Sequence, residues 1–253
     1  REGGSDLVAR GFRGWLHGLR DHHANTRRKW HQVARNFCLY RRRSEPRCFV
    51  PSADYTKRQP YISPIIVEPP QLARMLVLAA KLRPAPNSPL RGHNARIALI
   101  LLYTAGLRLG ELLRLTLGDV ADDGALLHIR ESKFHKSRWV PLATSASREL
   151  RGFLRRRARV FSNDPSTPLL CNRRHRGHYS HPGMQATINH LFVAADVRDA
   201  HGRRPRVHDL RHSFAVQALL RWFHAGADVQ SSLPKLALFM GHVSIESTAH
   251  YLH

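Results

Sequence analysis

The stretch that decides the fold lies near the carboxyl end, where residues 205–251 read PRVHDLRHSFAVQALLRWFHAGADVQSSLPKLALFMGHVSIESTAHY. In it, His208, Arg211 and His212 stand at i, i+3 and i+4, a spacing that predicts one shared face of a helix. The apolar residues expected to pack behind that face are Leu210, Phe214, Leu219, Trp222 and Phe223. The sequence therefore predicts a helix with one cationic face and one core face.

The end of the same stretch predicts two shorter helices. Pro234 is expected to break the chain before a short apolar helix at residues 235–240, which a glycine ends. His242 then follows a tight turn, and Ser244 is expected to cap a last helix that carries Tyr251. Arginine, histidine and tyrosine gathered in one run suit an attack on a phosphodiester.

A second informative stretch, residues 103–120, reads YTAGLRLGELLRLTLGDV. A largely buried helix is predicted at residues 95–104, and a glycine separates it from the next helix. Arg108 is therefore expected at the junction between the two helices. Glu111 and Asp119 are expected to act as caps or ion-pair partners rather than as catalytic acids.

A β-hairpin is predicted where residues 126–142 read LLHIRESKFHKSRWVPL. Alternation places Leu127 and Ile129 on one face, and the polar residues 133–136 mark the turn. Lys133 is expected on this exposed turn, with Lys136 and Arg138 as neighbouring basic residues. Apolar periodicity predicts further helices at residues 69–82, 148–161 and 184–194.

These motifs resemble those of a known family. HDLRH at 208–212, the Gly-His pair at 241–242 and a tyrosine nine residues later resemble the C-terminal signature of the tyrosine recombinase (phage integrase) family. AGLRLGELLRL at 105–115 resembles its arginine-bearing signature, and the hairpin resembles its lysine-bearing hairpin. The resemblance covers roughly residues 62–251 and is closest to recombinases encoded by transposable elements.

The resemblance implies a mainly α fold with a small β-hairpin or sheet. It implies a helical N-terminal DNA-binding domain joined to a tyrosine-recombinase catalytic domain. The implied function is a site-specific recombinase or integrase that moves a mobile element through a 3′-phosphotyrosyl intermediate. Its implied partners are double-stranded DNA and further protomers, in a homo- or hetero-tetrameric synapse, with no cofactor, metal or small-molecule substrate.

The resemblance also implies six catalytic residues: Arg108, Lys133, His208, Arg211, His242 and Tyr251. The two arginines would hold the non-bridging phosphate oxygens, because a planar guanidinium stays protonated and can bind two oxygens at once. Tyr251 would be the nucleophile, and His208 the base that removes its proton. Lys133 would protonate the leaving oxygen, and His242 would donate a hydrogen bond to the phosphate. His212 is expected to be structural.

Composition agrees with a nucleic-acid partner. The chain of 253 residues carries 41 Lys and Arg against 18 Asp and Glu, a formal net charge of +23. Such an excess is typical of proteins that bind polyanions. The three cysteines, Cys38, Cys48 and Cys171, form no Cys-x-x-Cys pair and suggest neither a disulfide framework nor a zinc ribbon. No apolar run is long enough to cross a membrane, and a cytoplasmic location is expected.

Three segments are predicted along the chain. Residues 1–44 read as a partial helical core-binding domain, because the family's domain is larger than the residues available here. Their predicted core positions are Phe12, Trp15, Leu16, Leu19, Trp30, Val33, Ala34 and Phe37, with Thr26 as a helix cap. Residues 45–70 contain six prolines and are predicted to be a linker. Residues 71–253 are the predicted catalytic domain.

Two alternatives remain open on the sequence alone. The first is a catalytically inactive relative that only binds DNA. The second is a zinc-dependent hydrolase, since His208 and His212 at i, i+4, with His242 beyond, could ligate zinc. The second alternative lacks the glutamate of a His-Glu-x-x-His motif, because Asp209 stands in its place.

Overall fold

The computed structural model describes residues 9–53, 63–130, 137–174 and 177–241. The chain forms two compact units, Arg1–Ser63 and Pro64–His253. The division falls inside the predicted linker. The DNA-binding and catalytic roles of the two units remain predictions.

The first unit contains helices α1 (Ala9–Gly18) and α2 (Ala24–Arg41). Phe12, Leu16 and Leu19 form its buried cluster, as their spacing predicts. Trp15, which was also predicted to be buried, is 38% exposed. Helix α2 begins earlier than predicted. Its cap is His23, whose Nδ1 accepts a hydrogen bond from the backbone N–H of Asn25, whereas Thr26 lies inside the helix.

The predicted inner face of α2 is wrong. Trp30, Val33 and Phe37 are 48%, 62% and 52% exposed, whereas His31 and Cys38 are buried. The buried positions are offset by one residue, which turns the face by about 100°. His31 packs its ring edge on Phe12, with ring centroids 5.6 Å apart. Apolar periodicity therefore identified a row of apolar residues on α2, but neighbouring residues cover a different side of the helix.

Residues 45–53 of the predicted linker pack on these helices. Cys48 is buried, and the ring of Phe49 lies 5.8 Å from that of Phe12. Arg35 of α2 donates a hydrogen bond to the carbonyl oxygen of Pro51. At the other end of the linker, Val67 is fully buried in the second unit.

The second unit is mostly helical with a small antiparallel sheet, as predicted. Its helices are α3 (Pro69–Ala80), α4 (Arg91–Thr104), α5 (Leu109–Arg114), α6 (Thr144–Arg157), α7 (His181–Ala194), α8 (Asp209–His224) and α9 (Val229–Met240). Its strands are β1 (Val120–Ala121), β2 (Leu126–Ile129) and β3 (Arg138–Pro141), in the order β1-β2-β3. Strand β1 was not predicted, because two residues give no readable alternation.

Helix α4 is the centre of the core. It contacts α3, α6, α7 and α8, and its apolar residues Leu99 and Leu101 are fully buried. Burying one such leucine stabilises the fold by about 1.5–3 kcal/mol. Helix α3 starts with two prolines in its first turn, as predicted, because that turn needs no backbone N–H donors.

The hairpin and its inner face are confirmed, and the structure adds the register. Leu127 pairs with Val140, and Ile129 pairs with Arg138. Leu127, Ile129 and Val140 are buried against the helices, as the alternation predicts. The turn between the strands, with Lys133, lies outside the described residues.

Three expectations for the helices need correction. Helix α6 begins at Thr144 and ends at Arg157, about one turn before the predicted positions. Phe223 of α8 is 69% exposed instead of packed. Pro234 does not break the chain, because α9 starts at Val229 and contains it.

Two features of α9, its N-terminal cap and its packing on α8, stabilise a helix that contains a proline. The side chain of Asp228 accepts hydrogen bonds from the backbone N–H groups of Gln230 and Ser231. An internal proline costs about 3 kcal/mol. Leu233, Leu236 and Met240 offset this cost by packing on α8 in a shared apolar cluster.

Across the described ranges, the helices are too short or too polar to cross a lipid bilayer.

Candidate active site

Arg108 stands at the helix junction that the sequence predicts. It is the N-cap residue of α5, and the chain reaches it through Gly106, whose φ is +60°. A Cβ atom at Gly106 would lie 2.5 Å from Cδ1 of Phe214. Glycine is therefore required here both by the backbone conformation and by the close packing of α8.

Glu111 holds Arg108 in place. One carboxylate oxygen of Glu111 accepts a hydrogen bond of 3.0 Å from the backbone N–H of Arg108, and the other accepts one of 2.7 Å from Nη1. The Arg108 side chain keeps 27% of its surface exposed, whereas the Glu111 side chain is 2% exposed. Glu111 thus acts as a cap and ion-pair partner, as expected from the sequence.

A second arginine shares this buried carboxylate. Arg138 of β3 donates to both oxygens of Glu111, at 3.2 and 2.9 Å. Burial opposes ionisation of Glu111, but the hydrogen bonds and charges of Arg138 and Arg108 prevail and lower its pKa to about 2. Glu111 is therefore a fixed anion between two guanidinium groups at neutral pH.

Arg211 lies in the first turn of α8 and is 1% exposed. Its Nη1 donates to the carbonyl oxygen of Gly106, and its Nη2 donates to that of Met240 over 2.6 Å. The helical spacing predicted that Arg211 lies on a cationic face opposite the core. This prediction is wrong, because the side chain is buried. It lies between the junction before α5 and the end of α9.

Three successive carbonyl groups at the end of α9 accept hydrogen bonds from three different arginines. Arg138 Nε donates to Phe239 over 2.9 Å, Arg211 Nη2 donates to Met240 over 2.6 Å, and Arg108 Nη2 donates to Gly241 over 3.3 Å. The last carbonyls of a helix lack intrahelical donors and carry partial negative charge, so they attract cations. We call Phe239, Met240 and Gly241 the carbonyl end of α9.

Gly241 ends α9 in the left-handed conformation, with φ 66°, as its predicted role as a helix stop requires. A Cβ atom at this position would lie 2.8 Å from Nη1 of Arg138. His242 is the next residue in the sequence. In the sequence, the carbonyl end of α9 thus directly precedes the segment that carries His242 and Tyr251.

His208 immediately precedes α8. Partial burial of its ring lowers the pKa of His208, and the charges of Arg211, Arg108 and Arg206 lower it further, against the opposing effect of Asp209. The ring meets that of His212 edge to face, with centroids 4.8 Å apart. Burial and the neighbouring cations lower the pKa of His212 to about 4. Both imidazoles are therefore neutral at pH 7.

Arg108 and His208 face the same cleft, which has a volume of about 710 Å³. Its other polar lining residues are Arg114, Glu111, His181, Gln185 and Arg206. A second cleft, of about 330 Å³, is lined by residues of α4 and α6 and contains none of the predicted site residues. The larger cleft is therefore the candidate active site.

The structure brings together three of the six predicted site residues, Arg108, His208 and Arg211. Lys133, His242 and Tyr251 lie outside the described residues. In the parts of the chain that the structure describes, no three His, Cys, Asp or Glu side chains form a group that could hold a metal ion.

Arg138 was not predicted to have a role in the site. A signal was present, because Arg138 and the inward-facing Val140 are two residues apart on β3 and so share one face of the sheet. An arginine on the inner face of a sheet requires an acidic or carbonyl partner nearby. Identifying that partner as Glu111 requires the tertiary structure.

Solved structures with similar architecture define the class. The XerH site-specific recombinase bound to its difH substrate superimposes with a TM-score of 0.68 at 17% identity, over 98% of this chain and 68% of that one. The Tn1549 transposon integrase in complex with transposon right end DNA gives a TM-score of 0.69 at 14% identity, over 98% and 81%. The chain therefore has the fold of tyrosine recombinases.

Sequence comparison identifies the family and related proteins. Residues 76–253 match the phage integrase family, and the chain belongs to this family. The protein y4rB of Sinorhizobium fredii, described as an integrase/recombinase, is 34% identical over 231 residues, which cover 86% of this chain and 70% of y4rB. The tyrosine recombinase XerC of Pelotomaculum thermopropionicum is 32% identical over 175 residues, or 67% of this chain and 52% of XerC.

Proposed function

We propose that this protein is a site-specific DNA recombinase that cuts and rejoins duplex DNA through a covalent bond between Tyr251 and a 3′-phosphate. Membership in the phage integrase family supports recombination in general. The observation that carries the proposal is the meeting of Arg108 and Arg211, from separate motifs, at adjacent carbonyls of α9. His242 follows those carbonyls directly in the sequence.

The proposed reaction exchanges one ester for another. The hydroxyl oxygen of Tyr251 attacks the phosphorus as His208 takes its proton, and the bond to the 5′-oxygen breaks. Lys133 gives a proton to that oxygen, which leaves as a 5′-hydroxyl. A 5′-hydroxyl of another strand then attacks the phosphotyrosine in the reverse step. The number of ester bonds is unchanged, so no ATP is consumed.

The neutral state of His208 suits it for the role of base. A tyrosine hydroxyl has a reference pKa near ~10 and is a weak nucleophile unless a base removes its proton or nearby cations favour the phenolate. A neutral imidazole can accept that proton, whereas an imidazolium cannot. The same cations that lower the pKa of His208 would also favour the phenolate of a tyrosine brought into the cleft.

The two arginines have different starting positions for the proposed role. Arg108 faces the cleft, so its guanidinium can reach a phosphate with little movement. Arg211 is 1% exposed, so the proposal requires it to turn an N–H group toward the phosphate when DNA binds. A preorganised donor, as Arg108 would be, stabilises a transition state by about 3–4 kcal/mol.

We further propose that the partner is double-stranded DNA, that four protomers, of this chain or of a related recombinase, form the synapse, and that the reaction moves a mobile element. Two observations support the partner. The net charge is +23, and Arg108, Arg114 and Arg206 line one cleft. The proposal that the reaction moves a mobile element is supported by the resemblance to transposable-element recombinases and by a similarly folded structure described as a transposon integrase.

Covalent trapping tests the proposed function. Duplexes that tile the DNA flanking the gene, each with one nick, are incubated with the protein. The nick lets the short fragment that carries the 5′-hydroxyl diffuse away after cleavage, so the adduct cannot be reversed. Wild type is expected to give a protein–DNA adduct that resists denaturant, and Tyr251→Phe is expected to give none. Tyr40→Phe, at a 68% exposed tyrosine of α2, is the control.

The same assay distinguishes the alternatives. Binding of duplex DNA without any adduct would identify an inactive relative and refute the enzymatic proposal. Loss of the adduct on treatment with a zinc chelator, and its return with zinc, would favour a metal-dependent reaction. The proposal predicts that the chelator has no effect.

A further inference from the structure

We infer that Arg138 is a positioning residue of the active site, which fixes Arg108 and the carbonyl end of α9 in the geometry that DNA cleavage needs. The inference rests on the proposed function. Arg138 does not face the cleft, and its side chain is 10% exposed. It is therefore expected to act through Glu111 and α9 rather than through contact with DNA.

All three nitrogens of the Arg138 guanidinium are engaged. The two Nη atoms bind the two oxygens of Glu111, and Nε binds the carbonyl oxygen of Phe239. This use of a planar fork plus a third donor is specific to arginine, since lysine carries a single nitrogen that cannot span these acceptors. One side chain thus joins β3, α5 and α9.

The contacts reach the two predicted catalytic arginines. Glu111 binds both Arg138 and Arg108, and Phe239 immediately precedes Met240, the carbonyl partner of Arg211. Loss of Arg138 would release the hairpin from α9 and leave the Phe239 carbonyl without this donor. Both predicted catalytic arginines would then lose a fixed neighbour.

Charge gives Arg138 a second effect on Arg108. Two guanidinium groups share one carboxylate, so the Glu111 charge is balanced while one positive charge remains for a phosphate. Without Arg138, Glu111 would bind Arg108 alone and would neutralise it. Arg138 is therefore expected to keep the charge of Arg108 available to DNA.

The experiment compares Arg138→Gln and Arg138→Lys with the control Arg96→Gln. Arg96 forms another two-oxygen pair with a glutamate, Glu149, at 2.7 and 3.2 Å. Adduct formation on the nicked duplex is measured under single-turnover conditions with saturating DNA, together with the Kd for the same duplex. This design separates the rate of cleavage from DNA binding.

Arg138→Gln is expected to lower the cleavage rate constant by about 10²-fold, as a misplacement of about 1 Å does. Its Kd is expected to stay within about threefold, because many other phosphate contacts remain. Arg138→Lys restores the charge but not the fork, and should recover only part of the rate. The control should cleave like wild type.

Either of two results would overturn the inference. One is cleavage by Arg138→Gln at the wild-type rate, and the other is an equal loss of activity in Arg96→Gln, which would indicate a general loss of stability. A rate defect that disappears at saturating DNA would assign Arg138 to binding instead and would also contradict a positioning role.

A second measurement does not depend on catalysis. In protein with ¹⁵N-labelled arginine, the guanidinium signals of Arg108 and Arg211 should move in Arg138→Gln and stay unchanged in Arg96→Gln. If wild type forms no adduct, the proposed function fails, and these spectra still decide whether Arg138 fixes the two arginines. Unchanged signals in Arg138→Gln would refute the inference.

Discussion

Nη2 of Arg211, in the first turn of α8, lies 2.6 Å from the carbonyl oxygen of Met240, the last residue of α9. The other Nη atom of Arg211 donates to the carbonyl oxygen of Gly106, two residues before Arg108. One buried side chain thus connects the C-terminal motif with the motif that carries Arg108.

Replacing this side chain should affect both stability and cleavage. Arg211→Met keeps most of the volume but leaves the carbonyls of Gly106 and Met240 without their donor. The free energy of unfolding should fall by about 1–3 kcal/mol, the cost of unsatisfied buried polar groups. Adduct formation should be lost. Arg221→Met, at an exposed residue in the last turn of α8, is the control and should change neither property.

Urea denaturation checks the stability change, and the nicked duplex checks cleavage. A variant as stable as wild type would show that the two carbonyl contacts add nothing to folding. A variant that still forms the adduct would exclude Arg211 from the catalytic set.

Stability should depend on pH through Glu111. Its folded pKa is about 2, below the usual value near ~4.3. The unfolded state therefore binds more protons between these values, and stability falls as the pH falls through this window. Above pH 5 the contribution is fully present and amounts to about 3 kcal/mol.

Glu111→Gln should be less stable than wild type by about this amount at pH 7, and the difference should shrink as the pH falls from 5 toward 2. Urea denaturation at several pH values measures the difference. Glu149→Gln is the control, because its ion pair with Arg96 is largely solvated and contributes little. A pH-independent difference for Glu111→Gln would contradict the assigned ionisation.

Two glycines allow the packing around Arg138 to be measured separately from backbone strain. Gly226 and Gly241 have φ values of 69° and 66°. A Cβ atom at Gly226 meets no atom within 4 Å, whereas one at Gly241 lies 2.8 Å from Arg138. Alanine at either position should cost about 1–2 kcal/mol from the left-handed conformation, and Gly241→Ala should cost more because of the clash.

The excess cost should disappear in the background of Arg138→Gln, whose shorter side chain leaves room. Thermal unfolding of the two alanine variants, with and without Arg138→Gln, completes the double-mutant cycle. Equal costs for both glycines in the wild-type background would show that Arg138 does not approach the end of α9 as described.

The rate of cleavage should rise with pH on the acid side, with a midpoint below the usual histidine pKa of ~6.5. Burial and the charges of Arg211, Arg108 and Arg206 lower the pKa of His208 below its usual value, and only its neutral form can accept the proton of Tyr251. Single-turnover adduct formation between pH 5 and 8 measures the profile. His208→Asn should cleave slowly and without this acid limb. An unchanged limb in that variant would assign the base to another group.

Local signals identified much of the fold. The paired prolines at the start of α3, the left-handed glycine after α9 and the alternation of β2 and β3 act over a few residues, and all three match the structure. Where tertiary packing competes with a local rule, the prediction failed. Pro234 lies inside α9 because Asp228 starts the helix earlier and α8 covers its apolar side.

The amino-acid sequence by itself determined the family and the helical class, because motifs and periodicity are properties of neighbouring residues, and it predicted six residues for the candidate site. Only the tertiary structure decided that Arg211 is buried, that Arg138 shares Glu111 with Arg108, and that α9 receives all three arginines. A carbonyl group is present in every residue and leaves no mark in the sequence. The choice of which carbonyls bind which guanidinium groups depends on how distant helices pack.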